Sequence, residues 1–131
     1  MEKSSGSVNG ILVVEDEPAI CDLFRRVLTS YGFEVDIAVN GKIAQDMIEK
    51  QQYDLCLFDI RLPLMNGIEL HQWLQEKHPQ LASHVIFATG SVMGEDTQSF
   101  LEQSGRPFLP KPFTPDELKA IVRETLIQLK K

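Results

Sequence analysis

Acids, a hydroxyl and an amine stand at the ends of short apolar runs in this chain. ILVV leads into Glu15, Asp16 and Glu17, LCLF into Asp59, VIFA into Thr89, and FLP into Lys111 and Pro112. If these runs are neighbouring parallel strands, their carboxyl ends bring the side chains into one crevice, where open α/β sheets bind ligands. The set suits phosphoryl transfer to an aspartate. A carboxylate attacking a phosphoryl donor meets negative oxygens, so positive charge must be fixed where the transferring group sits. Taken singly, each residue has a plainer reading: an acidic run is commonly a solvated loop, Asp59 a turn or cap, Lys111 a surface charge, Thr89 a strand end. Position after buried strands is what favours chemistry.

The elements that must position them follow from hydrophobic period. The chain has 131 residues, 43% of them hydrophobic, enough for one domain that needs no disulfide or structural metal. A net charge of -6 argues against nucleic acid as a partner. Cys21 and Cys56 are unclustered and read as small hydrophobes in a reducing compartment. No apolar run has membrane-spanning length, and no signal-peptide stretch opens the chain, so membrane contact is not expected and a cytoplasmic location is. Residues 1–9 read as a disordered leader and residues 10–131 as the folded domain.

Ile11 to Val14, Leu55 to Phe58 and Val85 to Ala88 are continuously apolar, as strands covered on both faces are. Val35, Ile37 and Val39 alternate with Glu34, Asp36 and Ala38, which predicts a half-exposed edge strand. Phe108 and Leu109, bracketed by Pro107 and Pro110, fit only the other edge. Between them lie helical patterns. One runs from Pro18 to a Gly32 cap, a second from an Asn40 cap to about Lys50, and a third carries Leu70, Trp73 and Leu74 and stops before Pro79. A fourth, over 94–104, has the thin apolar face of Met93, Thr97, Phe100 and Leu101 and is expected to be mobile. The last opens with a Thr114-Pro115-Asp116-Glu117 capping box. His71 and His78 read as solvent-exposed. Five βα units with right-handed crossovers give an α/β, doubly wound, flavodoxin-like three-layer sandwich with parallel sheet order 2-1-3-4-5. Its switch point, between the first and third strands, holds Glu15, Asp16 and Asp59.

From Ile11 to about Leu129 the chain resembles the receiver domain of two-component response regulators. VVEDEP, DIRLPLMNG, Ala88-Thr89-Gly90 and Lys111-Pro112-Phe113 occur in the family's order and spacing. The resemblance implies that Asp59 is the phosphoacceptor and that Mg²⁺ is the cofactor. It makes Asp16, Asp59 and the Arg61 backbone carbonyl the metal ligands, with Glu15 acting largely through water. Thr89 becomes the switch hydroxyl, Lys111 the phosphate-pairing lysine, Phe108 the aromatic switch residue, and Pro112 the partner in a cis peptide. Glu15 stands where Asp is the commoner choice, and Arg61 and Ser91 occupy positions that tune phosphate lifetime in the family. Charge balance agrees with the metal, since Mg²⁺ and Lys111 together offset Glu15, Asp16 and Asp59.

The implied partners are a histidine kinase or histidine-phosphotransfer protein and a downstream protein. The first would dock on the first helix, and the second on the face made by the helices over 94–104 and 115–129 with the fifth strand. The segment from Thr89 to Phe113 resembles receivers of hybrid sensor kinases more than those of DNA-binding regulators. The chain is expected to catalyse only its own aspartyl phosphorylation and dephosphorylation. Two other classes are distinguishable. A hydrolase with an aspartyl-phosphate intermediate needs a second acid/base carboxylate close after the nucleophile, where Arg61 sits instead. A phosphorylation-independent receiver-like interaction module would bind its partner equally with Asp59→Asn.

Overall fold

A computed structural model describes residues 10–90 and 95–129, without the side chains of Thr89, Glu95 and Asp96. The leader expected over 1–9, and Ser91 and Met93, lie outside the described residues.

Five parallel strands form one sheet: β1 (Gly10–Val14), β2 (Glu34–Ala38), β3 (Leu55–Asp59), β4 (Val85–Thr89) and β5 (Phe108–Pro110). Their order is β2-β1-β3-β4-β5. The helices are α1 (Pro18–Ser30), α2 (Gly41–Lys50), α3 (Gly67–Lys77), α4 (Pro79–Ala82), α5 (Glu95–Ser104) and α6 (Pro115–Leu129). Alternation along each strand divides the core into two. Ile11, Val13, Leu55, Leu57, Ile86 and Ala88 face α1 and α6. Leu12, Val14, Cys56, Phe58, Val85 and Phe87 face α2, α3 and α5. Both faces are covered, which is why the central strands read as unbroken apolar runs.

Local chemistry sets the helix ends. Proline opens α1, and Gly32 beyond its end takes φ +91, a conformation that favours glycine. Asn40 accepts from the Ile43 N–H at 2.8 Å to start α2. Asn66 and Glu69 form a reciprocal capping box on α3, and Thr114 and Glu117 form one on α6.

The third helix ends at Lys77, before Pro79 as expected, and a short helix α4 that the sequence did not announce then opens on that proline. Two sequence expectations change. Ala38 is fully buried and Val39 is 48% exposed, the reverse of the expected alternation, because β2 ends at Ala38 and that residue packs on the α2 side. His71 is buried rather than solvent-exposed, at 2% exposure.

Two glycines let backbone approach backbone. A Cβ on Gly67 would lie 2.5 Å from the Asp59 carbonyl oxygen, and one on Gly41 would lie 2.7 Å from that of Met65. The loop after β3 is thereby pressed against both the strand it leaves and the start of α2. Among the described residues no helix is long and apolar enough to cross a membrane.

Candidate functional site

Parallel pairing of β1 with β3, Val14 opposite Phe58, sets the next residues of both strands side by side at the carboxyl end of the sheet. Glu15 continues β1, its N–H donating to the Ala38 carbonyl at 2.9 Å, and Asp59 ends β3. Lys111 arrives from the turn after β5, where the Lys111-Pro112 peptide bond is cis.

Lys111 Nζ donates to Glu15 Oε1 at 2.8 Å and to Asp59 Oδ2 at 3.3 Å. The remaining oxygens are engaged by backbone. The Glu17 N–H donates to Glu15 Oε2 at 3.2 Å, and the Arg61 N–H donates to Asp59 Oδ1 at 3.2 Å. Glu15 is 1% exposed and Asp59 7%, whereas Asp16 faces solvent. One carboxylate oxygen from each of Glu15, Asp16 and Asp59 falls within 4.8 Å of the others. An octahedral Mg²⁺ with ligands at about 2.0–2.1 Å holds its oxygens roughly 3 to 4 Å apart. The three acids therefore fit a small hard cation after a modest contraction.

Electrostatics point the same way. Burial pushes the Glu15 carboxyl above its ordinary pKa, the Lys111 hydrogen bond opposes that rise, and the charge of Asp59 reinforces it. Burial disfavours the Lys111 ammonium, but its bond to Glu15 and the charges of Asp59 and Glu15 outweigh it, so the lysine pKa is raised. A crowded group of acids holds its lysine charged and has room for more positive charge.

Of the expected site residues, the structure brings Glu15, Asp16, Asp59 and Lys111 together, with Arg61 immediately beyond. Thr89 ends β4 in register with Pro110, and its hydroxyl lies outside the described atoms. Phe108, at the start of β5, is 41% exposed. Two contributors escaped the sequence reading. The Cys21 thiol donates to the Glu15 carbonyl at 3.3 Å, tying α1 to the acidic loop. Gly67 lies under the Asp59 carbonyl, as described above. Its place eight residues after Asp59, opening a helix, was the available signal.

Comparison with known proteins agrees with this geometry. The response regulator receiver domain model matches residues 11–123. Response regulator protein PilR of Pseudomonas aeruginosa is 34% identical over 115 residues, covering 88% of this chain and 25% of that protein. Response regulator Rre1 of Synechocystis is 35% identical over 117 residues, covering 88% of this chain and 51% of that one. The chain thus spans a quarter to half the length of these relatives. Among solved structures, a CheY-like receiver domain protein from Methanospirillum hungatei superposes with a TM-score of 0.86 at 31% identity, covering 95% of this chain and 98% of that one. The receiver domain of a Pseudomonas aeruginosa sensor histidine kinase, with a magnesium ion coordinated in its active-site cleft, gives 0.78 at 29% identity, covering 90% and 97%. By its motifs, its sheet order and a family match over most of its length, the chain belongs to the response regulator receiver domains of two-component signalling.

Proposed function

We propose that this receiver takes a phosphoryl group from a phosphohistidine of a histidine kinase or phosphotransfer protein onto Asp59, and that the acyl phosphate resets its protein-binding face. The observation that carries this reading is the convergence of Lys111 Nζ on Glu15 and Asp59, beside a third carboxylate within 4.8 Å. An Asp59 oxygen forms the new bond to phosphorus while the bond from phosphorus to the donor nitrogen breaks, its electron pair leaving with the imidazole.

Asp16, Asp59 and the Arg61 carbonyl would hold Mg²⁺, with Glu15 reached through water, and the cation would neutralise charge on the transferring oxygens. Lys111, already charged and partly desolvated, supplies the second positive centre. The Arg61 N–H holds one Asp59 oxygen, leaving rotation of that carboxylate restricted before attack. After transfer, Thr89 and Lys111 would donate to phosphate oxygens. Charged hydrogen bonds of roughly 1.5–3 kcal/mol each supply most of the about 5.5 kcal/mol that inverts a 1:99 equilibrium. Phe108, partly exposed, would follow Thr89 inward and remodel the face made by α5, β5 and α6. Its full burial is worth about 1.5–3 kcal/mol.

The test is intact mass after incubation with acetyl phosphate, with and without Mg²⁺, for the wild type and Asp59→Asn. One added phosphoryl group of about 80 Da, dependent on metal and absent in the variant, is expected. A chain that gains no mass, or gains it equally in Asp59→Asn, overturns the reading and favours constitutive binding.

A further inference from the structure

We infer that His71 makes the docking of α5 sensitive to weak acid, so that the receiver's helical face loosens as pH falls below neutrality. His71 lies on the inner side of α3, covered by α4 and α5. Its Nε2 is 3.0 Å from the Ala82 carbonyl oxygen. A carbonyl only accepts, so Nε2 carries the proton and Nδ1 holds a lone pair. Nδ1 is buried and has no partner among the described residues. Two aromatic rings stand steeply tilted against it: Phe87 of β4 at 5.3 Å and Phe100 of α5 at 5.8 Å between centroids, with those two rings 5.3 Å apart. Phe100 and the buried Leu101 are the side chains by which α5 reaches the sheet.

The pocket accepts the neutral ring and rejects the cation. Protonation would add an N–H at Nδ1 with no acceptor among the described residues and a buried charge facing another cation. From α4 the ring meets the Ala82 carbonyl, from β4 Phe87, and from α5 Phe100. The charged group bearing on it, among the described residues, is Arg106, itself a cation fixed by its Nε donating to the Val85 carbonyl at 3.0 Å. Burial lowers the imidazole pKa, the Ala82 bond opposes this, and Arg106 adds to the lowering. Beside the ring runs a groove of about 410 Å³ whose lining includes His71, Gln75, Ser83, Ser104 and Arg106. Lifting α5 would widen that groove around the imidazole and hydrate it.

The direction follows from linkage. Above pH 6.5, the ordinary value, the ring is neutral whether α5 is docked or lifted. Below it the lifted state binds a proton that the docked state refuses, so stability of docking is lost as pH falls, until the lowered value is reached. Between pH 7.5 and 5.5 the lifted population should grow by up to about tenfold.

Amide hydrogen exchange of residues 97–104, corrected for intrinsic rates, tests this at those two pH values in the wild type, His71→Gln and His71→Leu. Glutamine keeps a donor for Ala82 and cannot titrate. Proton titration of the His71 imidazole by NMR needs no variant. His71 should titrate below the ordinary imidazole value of 6.5, and α5 opening should rise, by up to about tenfold, in the wild type but not in the variants. The inference is overturned if His71 titrates at or above 6.5, or if the acid response of α5 survives its replacement. The protein is used unphosphorylated throughout, so the outcome does not depend on the phosphoryl-transfer reading.

Discussion

Replacing Gly67 by alanine tests whether the phosphoacceptor is held by backbone packing. The new Cβ would lie 2.5 Å from the Asp59 carbonyl oxygen, 3.0 Å from Ile60 Cα and 3.2 Å from the Asp59 carbonyl carbon, all main-chain atoms that no rotamer change can move aside. The Gly67 N–H also donates to the Ile60 carbonyl at 2.9 Å. Restoring normal contact takes a shift of several tenths of an ångström between β3 and the start of α3. Overpacking of this kind costs about 1–3 kcal/mol, and weakening that hydrogen bond adds about 0.5–1.5. The reduced freedom of the unfolded chain returns about 0.4–1 kcal/mol, leaving a net loss of about 0.5–4 kcal/mol, centred near 2. With a urea m-value of about 1–3 kcal/mol/M, the central value lowers the midpoint by roughly 1 M. Gly10→Ala is the control, because its Cβ would meet nothing closer than 3.9 Å. Phosphorylation by acetyl phosphate should slow in Gly67→Ala even under conditions where the variant is fully folded, since the displaced atoms carry Asp59. Urea midpoints that agree within error for Gly67→Ala, Gly10→Ala and wild type would refute the argument.

Two further outcomes follow. Lys111→Met leaves Glu15 and Asp59 without their shared cation. With the lysine side chain 16% exposed, the loss should be about 1–3 kcal/mol, below that of a fully buried pair. Mg²⁺ should narrow the gap in urea midpoint between this variant and wild type by replacing the missing charge, and a gap indifferent to Mg²⁺ would count against a cation site among these acids. Leu64 takes φ +69 in the loop after β3 while 76% exposed. Because the left-handed region costs a branched residue about 1–2 kcal/mol and asparagine less, Leu64→Asn should raise thermal stability by about 0.5–1 kcal/mol, and a lower melting temperature would contradict it.

Much of the architecture was legible because two-sided burial writes itself plainly. The runs at Ile11, Leu55 and Val85 have the length and unbroken apolar character of central strands in a covered sheet, and the polar residues closing them marked the crevice. What escaped depended on partners remote in sequence. Four residues from Pro79 to Ala82 are too few to show a helical period, and a proline that can stop one helix can also start the next. Ala38 was assigned outward on the assumption that an edge strand has one covered face, yet α2 lies over the other. His71 was misplaced because only apolar residues were counted toward the stripe of α3. Gly67, Leu70, His71 and Leu74 recur at i, i+3, i+4 and i+7, and all four are buried. The imidazole's position on that stripe was readable, while the aromatic rings that enclose it come from β4 and α5. The pairing of Glu15 with Lys111 spans 96 positions of sequence, and only the fold reveals which carboxylate the ammonium reaches first.

The brevity of β5 has a consequence for how these molecules behave in a crowded solution. Its three residues end in Pro110, and Pro107 precedes them, so the rim of the sheet beyond Phe108 and Leu109 offers few amide protons to a passing strand. At the opposite rim, Glu34 and Asp36 bring carboxylates to β2, with Asp36 accepting from the Tyr53 hydroxyl at 2.7 Å. Neither margin is a template for strand addition, the first step toward fibrils. Two copies of this domain that meet are thereby discouraged from joining their sheets edge to edge.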